Sequence, residues 1–283
     1  MKKSIIALAL VGAFSAPAFA QTAAPAAEVS PHTITGNLGL FSSYRFRGID
    51  QTYGKPALQG GIDYSHSSGL YAGNWNSNVS SGAGFPDGNL EMDFYGGYKT
   101  TFGDVGLDVG AILYYYPGSD ARPVLSAKAS NGAVTNKEIY IGASYKFASL
   151  KYYYSLDDYF SLRGIKSDGT ITDKSTKGTS CLDLSMNYDL GDGWGVNGHV
   201  GHLWAKKIGN GSYTDWKLGV TKDISGWVVG LSYVDTNADG DCNGASSYQP
   251  YCFVKTIDSD GNWSSKKKDA GRGIGVLSVT KSF

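Results

Sequence analysis

Residues 104–116 read DVGLDVGAILYYY, and their polarity alternates at every second position. The odd positions, from Val105 to Tyr115, are apolar, whereas the even positions include Asp108 and two glycines. Residues 181–190, CLDLSMNYDL, alternate in the same way. Successive side chains of a β-strand point to opposite faces, so a strand separates the two sets and a helix would mix them. The pattern predicts strands with one apolar and one polar face.

Twelve segments show this alternation, and helical spacing is absent from the mature chain. They cover residues 33–46, 57–66, 70–79, 89–101, 105–116, 136–146, 149–156, 179–189, 194–204, 213–223, 227–236 and 271–283. Connections after even-numbered segments are short, whereas those after odd-numbered segments are long. Transmembrane barrels have short periplasmic turns and long outer loops. We therefore expect an all-β fold, a transmembrane antiparallel up-and-down β-barrel of about 12 strands, with both termini in the periplasm.

The polar faces of these segments carry many charges. By parity they include Asp63, Glu91, Asp93, Lys99, Asp108, Glu138, Lys146, Lys151, Asp183, Asp189 and Lys217. Burial in a dry core would cost several kcal/mol per ion even for paired charges, so these side chains are predicted to line a water-filled lumen. The apolar faces carry aromatic residues that resemble the girdles of outer-membrane barrels: Tyr71, Trp75, Tyr145, Phe147, Tyr152, Tyr154, Trp194, Trp204, Trp216, Trp227 and Tyr233. The alternative is a soluble, lipocalin-like barrel.

Composition excludes several other classes of protein. The chain has 283 residues, with 25 basic and 25 acidic side chains, so it lacks the basic excess of a nucleic-acid binder. Aromatic residues make up 13% of the chain, which argues against disorder. After residue 20, no apolar run approaches the ~20 residues of a transmembrane helix.

The N-terminus has the pattern of a secretory signal. Lys2 and Lys3 precede an apolar run of about ten residues, and 18–20 have the small-x-small form of a cleavage site. The expected organisation is a cleaved signal peptide at 1–20, a flexible leader at 21–32 and the barrel at 33–283. The apolar run is short for a membrane anchor, the alternative interpretation.

A family resemblance lies in residues 36–80. It is carried by Gly36-Asn37-Leu38, by YRFRGI at 44–49, by KPALQGG at 55–61, by Asp63-Tyr64 and by GLYAGNW at 69–75. This stretch resembles the proteobacterial TorF-like putative porin family. The resemblance implies a small outer-membrane barrel with pore activity, and it implies no functional residues. The terminal Phe283 resembles the sorting signal of outer-membrane barrels, although Lys281 departs from that pattern.

Arg45 and Arg47 are candidates for ion selectivity at the pore mouth. With Lys55 nearby they would form a positive patch, and fixed charges at a rim bias which ions enter. Two alternatives stay open: ion pairs with Asp50, Glu91 or Asp93, and binding of lipopolysaccharide phosphates.

Signals for enzymatic chemistry are weak. His66 and Ser68 have the His-x-Ser spacing of outer-membrane lipases, which would let the imidazole take the hydroxyl proton. They lie in an expected periplasmic turn without an orienting acid, and turn chemistry alone explains the serines. His199 and His202 fall on opposite strand faces, which separates them as metal ligands. We therefore expect no enzymatic activity.

The last long loop carries two further signals. Asp235, Asn237 and Asp239 with Gly240 match the first half of a calcium loop, but the acidic residue expected at its twelfth position is replaced by Ser246. The alternative is a polar exit from the strand, and no other cofactor is predicted. Cys242 and Cys252 are disulfide candidates in an oxidising compartment, which leaves Cys181 over.

These patterns together predict a porin-like channel of the Gram-negative outer membrane for passive diffusion of ions and small polar solutes. The expected partners are outer-membrane lipids, lipopolysaccharide and the barrel-assembly machinery, without nucleic acid. Oligomeric state is left open. The alternatives are a lipid-modifying enzyme and a closed scaffold or adhesin barrel.

Overall fold

The computed structural model describes residues 30–85, 87–121, 132–243, 246–257, 262 and 264–283. The expected signal peptide at 1–20 and most of the leader at 21–32 lie outside these ranges. Within them, no helix is long and apolar enough to cross a membrane.

Within the described ranges, twelve antiparallel strands close into one barrel. Its strands are β1 (His32–Phe41), β4 (Ala57–His66), β5 (Leu70–Asn78), β6 (Leu90–Phe102), β7 (Val105–Tyr115), β8 (Thr135–Tyr145), β9 (Ala148–Ser155), β12 (Ser180–Gly191), β13 (Trp194–Trp204), β14 (Tyr213–Ile224), β15 (Trp227–Thr236) and β18 (Ile274–Ser282). Each strand pairs with its neighbours in sequence order, and β1 closes the ring by pairing with both β4 and β18. The predicted up-and-down barrel is confirmed.

The remaining strands of the described chain form three hairpins within long loops, which the alternation did not predict. They pair β2 (Arg45–Phe46) with β3 (Ile49–Asp50), β10 (Arg163–Ile165) with β11 (Ile171–Ser175), and β16 (Cys252–Val254) with β17 (Lys267–Asp269). Single 3-10 turns lie at Ser81–Ala83 and Tyr159–Ser161. The expected strand at 33–46 is therefore too long, because the barrel wall ends at Phe41 and the chain then turns inward.

The two ends of the barrel differ as predicted. At one end, called the short-turn end, connections are tight and place residues at positive φ, such as Lys146 at 51° and Gly226 at 82°. Two-residue hairpin turns need this backbone conformation. The opposite end, called the long-loop end, carries the three extra hairpins. The Cys242–Cys252 disulfide predicted from the sequence is present in the last of these loops, and Cys181 is free and buried.

The outer wall of the barrel is apolar. Large apolar side chains face outward along the strands, among them Ile62 at 62%, Leu218 at 66% and Leu231 at 56% exposure. A soluble protein rarely exposes a continuous apolar band of this kind, whereas lipid is an apolar solvent for it. This wall is that of a membrane-spanning barrel.

Two predicted girdle residues face the other way. Trp75 is buried and packs edge-on against Tyr44, and the Tyr71 hydroxyl donates a hydrogen bond to Asp108 inside the barrel. The prediction was wrong for β5 because its outward positions include Asn74 and Asn76, so this strand has polar side chains on both faces.

Candidate pore constriction

The barrel interior holds most of the charges predicted from parity. Polar-face residues lie on inward positions of seven strands: Asp63, Glu91, Asp93, Lys99, Asp108, Glu138, Lys151, Asp183 and Lys217. Two predictions differ from the structure. Lys146 lies exposed in a short turn, with its ammonium 5.1 Å from the centroid of the Tyr145 ring, and Asp189 is exposed near the same end. Lys146 was placed by extending the alternation past the end of β8, where the backbone already turns, whereas Asp189 is still within β12 but lies at the open rim of the barrel.

Residues 42–54 form an inward hairpin that enters the lumen at the long-loop end. Its tip, Arg47-Gly48, has φ values of 48° and 77°, which is the left-handed backbone that a two-residue type I′ turn requires. Gly48 lies against the wall formed by β14 and β15. A Cβ atom there would stand 2.3 Å from Cγ2 of Thr236 and 2.7 Å from Cβ of Asp215. The hairpin tip therefore fits against the wall only with glycine.

We expect Gly48→Ala to weaken docking of this hairpin by about 1–3 kcal/mol, from positive-φ strain together with the clash against Thr236 and Asp215. Gly118→Ala is the matched control, because Gly118 has a φ of 76° and a Cβ added there would have no atom within 4 Å. Urea unfolding of both variants in detergent separates backbone strain from the clash. Equal losses in the two variants would show that the hairpin tip is not packed against the wall.

Arg47 spans the lumen to the opposite wall. Strand β8 lies five strands from β1 by the shorter way around the barrel. Arg47 Nη1 and Nη2 donate to Oε1 and Oε2 of Glu138 on β8, at 3.0 and 2.8 Å. Nη1 also donates to the Tyr159 hydroxyl at 3.1 Å, and the Tyr213 hydroxyl donates to the Arg47 carbonyl at 2.8 Å. This two-bond guanidinium–carboxylate contact fixes both distance and orientation across the pore.

Arg45 is held at the base of the hairpin instead. Its Nη1 donates to the carbonyl of Ala270 at 2.7 Å, and its Nη2 lies 3.7 Å from Asp50. Burial lowers the pKa of Arg45, an effect that Asp50 only partly offsets. For Arg47, burial is the largest single effect and lowers the pKa, but Glu138 and the neighbouring Cys181 and Tyr159 together outweigh it, so the pKa lies well above its ordinary value. Neither residue forms an open positive patch, and Arg45 instead pairs with Asp50, one of the two alternatives to that patch.

Aromatic side chains pack against one another inside the barrel at the level of the hairpin. Phe46 packs edge-on against Tyr114 at a centroid distance of 5.4 Å. Phe85 stacks on Tyr116 at 3.9 Å, and Tyr44 packs against Trp75 at 5.5 Å. Aromatic pairs in these geometries add about 0.5–1.5 kcal/mol each beyond the area they bury. The hairpin and these rings therefore occupy much of the lumen at the long-loop end of the barrel.

A chamber lies on the short-turn side of the hairpin tip. It has a volume of about 150 Å³, and its lining combines hydroxyl, amide and charged side chains with apolar ones such as Phe41, Val228 and Val234. His199 is central to it, with Nδ1 2.6 Å from Asp183 and Nε2 in contact with Asp215. Because both ring nitrogens face carboxylate oxygens, this arrangement favours the doubly protonated imidazolium. Across the lumen, the Lys151 ammonium donates to Asp108 at 2.8 Å.

The sequence analysis missed Asp215 and the role of His199. Asp215 has the same parity as the predicted Lys217 and is 1% exposed, so the alternation of β14 already contained the signal. The contact of His199 with Asp183 and Asp215 joins three strands, β12, β13 and β14, and follows from their register.

Comparison with known proteins assigns the chain to a family. A family model described as a bacterial protein of unknown function, Gcw_chp, matches residues 25–257. The chain belongs to the Gcw_chp family. No curated protein matches this Gcw_chp chain.

Solved structures with a similar fold include three outer-membrane or transport proteins. The NanC porin is 9% identical with a TM-score of 0.48, over 89% of this chain and 99% of that one. The toluene transporter TodX of P. putida is 10% identical with a TM-score of 0.44, over 89% and 90%. The outer-membrane protein opdK of Pseudomonas aeruginosa is 12% identical with a TM-score of 0.37, over 91% and 68%. The family name carries no activity, so any function of the Gcw_chp chain rests on its own residues.

The residues of the predicted calcium loop are placed at the end of β15 and in the loop after it. The Tyr233 hydroxyl donates to Asp235 at 2.9 Å, and the Thr214 amide donates to Oδ1 of Asn237 at 2.7 Å. Among the described residues of the Gcw_chp chain, no group of three or more histidine, cysteine or acidic side chains is arranged to hold a metal ion. Calcium binding by Asp235, Asn237 and Asp239 stays a prediction.

The predicted His66 and Ser68 pair is in contact at the short-turn end. Nδ1 of His66 lies 2.7 Å from the Ser68 hydroxyl, and it also accepts a hydrogen bond from the Ser68 amide at 3.1 Å. His66 faces His32 across the strand pair, with ring centroids 5.1 Å apart. Because the amide proton occupies the nitrogen that would act as base, the contact serves the turn of the Gcw_chp chain.

Proposed function

We propose that this chain is a channel of the bacterial outer membrane for passive diffusion of ions and small polar solutes. The observation that carries the proposal is the inverted polarity of the barrel, which is apolar outside and charged inside. An interior with paired aspartates, lysines and a histidine suits water and ions. Burial of the same charged side chains in a dry core would cost several kcal/mol per ion. No chemical step is assigned to any residue.

The mechanism is diffusion past the inward hairpin. Solutes that enter meet fixed charges of both signs, so size and local field set the rate rather than a specific binding step. The acidic and basic residues of the lumen are close in number, which predicts weak overall ion selectivity. Because the hairpin and its aromatic contacts occupy the long-loop end, we place opening of the channel in undocking of residues 42–54.

The cellular setting follows from the same proposal. The apolar wall would contact outer-membrane lipids, with lipopolysaccharide around the long loops and the short turns in the periplasm. The exposed Phe283 would be read by the barrel-assembly machinery. The resemblance of residues 36–80 to TorF-like putative porins supports this setting. A homo-oligomer stays open as a further prediction.

Conductance across planar lipid bilayers tests the proposal. A stable current from the purified chain supports a channel. Absence of current with intact barrel structure supports the closed scaffold, which the inward hairpin also favours. Lipid hydrolysis that disappears in His66→Ala would support the enzyme. Swelling of liposomes in graded sugars and amino acids would then give the size limit and any preference for charge.

A further inference from the structure

Two acidic side chains inside the barrel have carboxylate oxygens without a partner. Glu91 and Asp93 occupy successive inward positions of β6, roughly 7 Å apart along the strand. They are 0% and 3% exposed, and Oε2 of Glu91 and Oδ1 of Asp93 accept no hydrogen bond from the part of the chain that the structure describes. The Tyr44 hydroxyl donates to the other oxygen of Glu91 at 3.1 Å, which places this carboxylate directly under the inward hairpin.

The described residues around this pair do not neutralise it. Arg47 donates to both oxygens of Glu138, and the Lys151 ammonium is bound to Asp108. Lys99 is six residues further along β6, roughly 20 Å from Asp93. This level of the lumen therefore holds three carboxylates, those of Glu91, Asp93 and Glu138, against one guanidinium. Buried charge without compensation is strongly unfavourable, so this pair is neutralised either by protons or by a bound cation.

Neutral oxygens at the same level complete a set of hard donors. Asp93 pairs with Tyr114 on β7, and Tyr114 pairs with Asn136 on β8, so the three lie in one row across the wall. Oδ1 of Asn136 is also buried and accepts no hydrogen bond from any described residue. Carboxylate and amide oxygens are the ligands of hard cations such as Ca²⁺, whereas thiol and imidazole ligands, which softer metals prefer, are absent from this row.

We propose that Glu91 and Asp93 form a cation-binding site in the lumen, which takes a hard divalent cation such as Ca²⁺ with Asn136 as a neutral ligand. Two carboxylates are fewer than in a tight structural calcium site, so the ion is held weakly and exchanges with the solution in the lumen. The bound cation neutralises the layer against which the hairpin packs, and thereby stabilises the docked hairpin. Binding at this site requires no current through the barrel, so it is independent of the proposed channel activity.

Terbium(III) luminescence tests the site, with Tb³⁺ as a probe for calcium. Tb³⁺ emits when a nearby aromatic side chain transfers energy to it, and Trp75 pairs directly with Asp93 across β5 and β6. We expect luminescence from the folded barrel in detergent, competed by CaCl₂. Glu91→Gln with Asp93→Asn should lower the emission by on the order of tenfold, because both charged ligands are lost. Because the bound cation stabilises the docked hairpin, CaCl₂ should also raise the midpoint of thermal unfolding. Trp75→Phe should lower the emission and leave that rise unchanged.

Asp235→Asn with Asp239→Asn is the control for the predicted calcium loop, because it removes two acids from that loop and leaves the lumen unchanged. Emission that survives this control and disappears in the Glu91 and Asp93 variant supports the proposed site. The reverse result overturns it. So does a wild-type protein that shows no Tb³⁺ emission and whose thermal midpoint does not change with Ca²⁺. Should the double variant fail to fold, Glu91→Gln alone is titrated, and an unchanged Ca²⁺ midpoint in that folded variant also overturns the proposal.

Discussion

Arg47→Ala should open the barrel, with channel openings that become more frequent by on the order of a hundredfold until they saturate. The Arg47–Glu138 pair is almost fully buried, with side-chain exposures of 8% and 1%. Removal of one partner of such a pair costs about 3–5 kcal/mol, because the other charge is left buried and unpaired. Undocking of the hairpin exposes Glu138 to water and relieves that cost. A shift of about 3 kcal/mol corresponds to roughly two powers of ten in the docking equilibrium.

Single-channel recording in planar bilayers measures this effect, and urea unfolding measures the accompanying loss of stability. Lys137→Ala is the matched control. Lys137 lies next to Glu138 on β8, and its ion pair with Asp157 is largely exposed and contributes about 1 kcal/mol or less. The control should leave both readouts near wild type. If Arg47→Ala destabilised the barrel but left the frequency and size of the openings unchanged, the inward hairpin would not be the element that closes the pore.

Barrel strands were predictable because their signal is local. The predicted segments 57–66, 194–204 and 227–236 coincide with β4, β13 and β15. In a barrel between lipid and water, each strand meets an apolar solvent on one face and a polar solvent on the other. The polarity of each residue therefore indicates whether it faces lipid or the lumen. No knowledge of the partner strand is needed for that inference.

The contents of the lumen were only partly predictable. Parity placed Glu138 inside correctly, but its partner Arg47 is 91 residues away in sequence and reaches it only because a short hairpin turns inward. That hairpin has two-residue strands, too short to show alternation. Its one local signal is Gly48 after Arg47, since glycine suits the positive φ of a tight turn. Strand β5 shows the converse limit, because outward asparagines removed the contrast between its faces.

The second large effect is expected on the outer wall, where Leu231→Arg should destabilise the barrel in lipid by about 2–4 kcal/mol. Leu231 lies midway along β15, is 56% exposed and pairs with Val220 and Leu277, so a guanidinium there would face hydrocarbon. Reversible urea unfolding from lipid vesicles measures the change. Retention of the variant in vesicles after a high-salt wash reports insertion separately.

Thr221→Arg places the same side chain on the neighbouring strand β14, next to Val220, which pairs with Leu231. Thr221 faces the lumen, on the opposite side of the barrel wall from Leu231. Thr221 pairs with Gly230, the neighbour of Leu231, and lines the chamber, where flanking Gly195 and Gly230 leave room and water is expected. We expect its effect to be smaller than that of Leu231→Arg by at least about 1 kcal/mol, since charge on the lumen side stays hydrated. A soluble barrel with an apolar core would reverse this order, because arginine on the outer face would meet water and arginine inside would be buried. The sign of the difference between two adjacent substitutions thus decides which solvent surrounds the barrel.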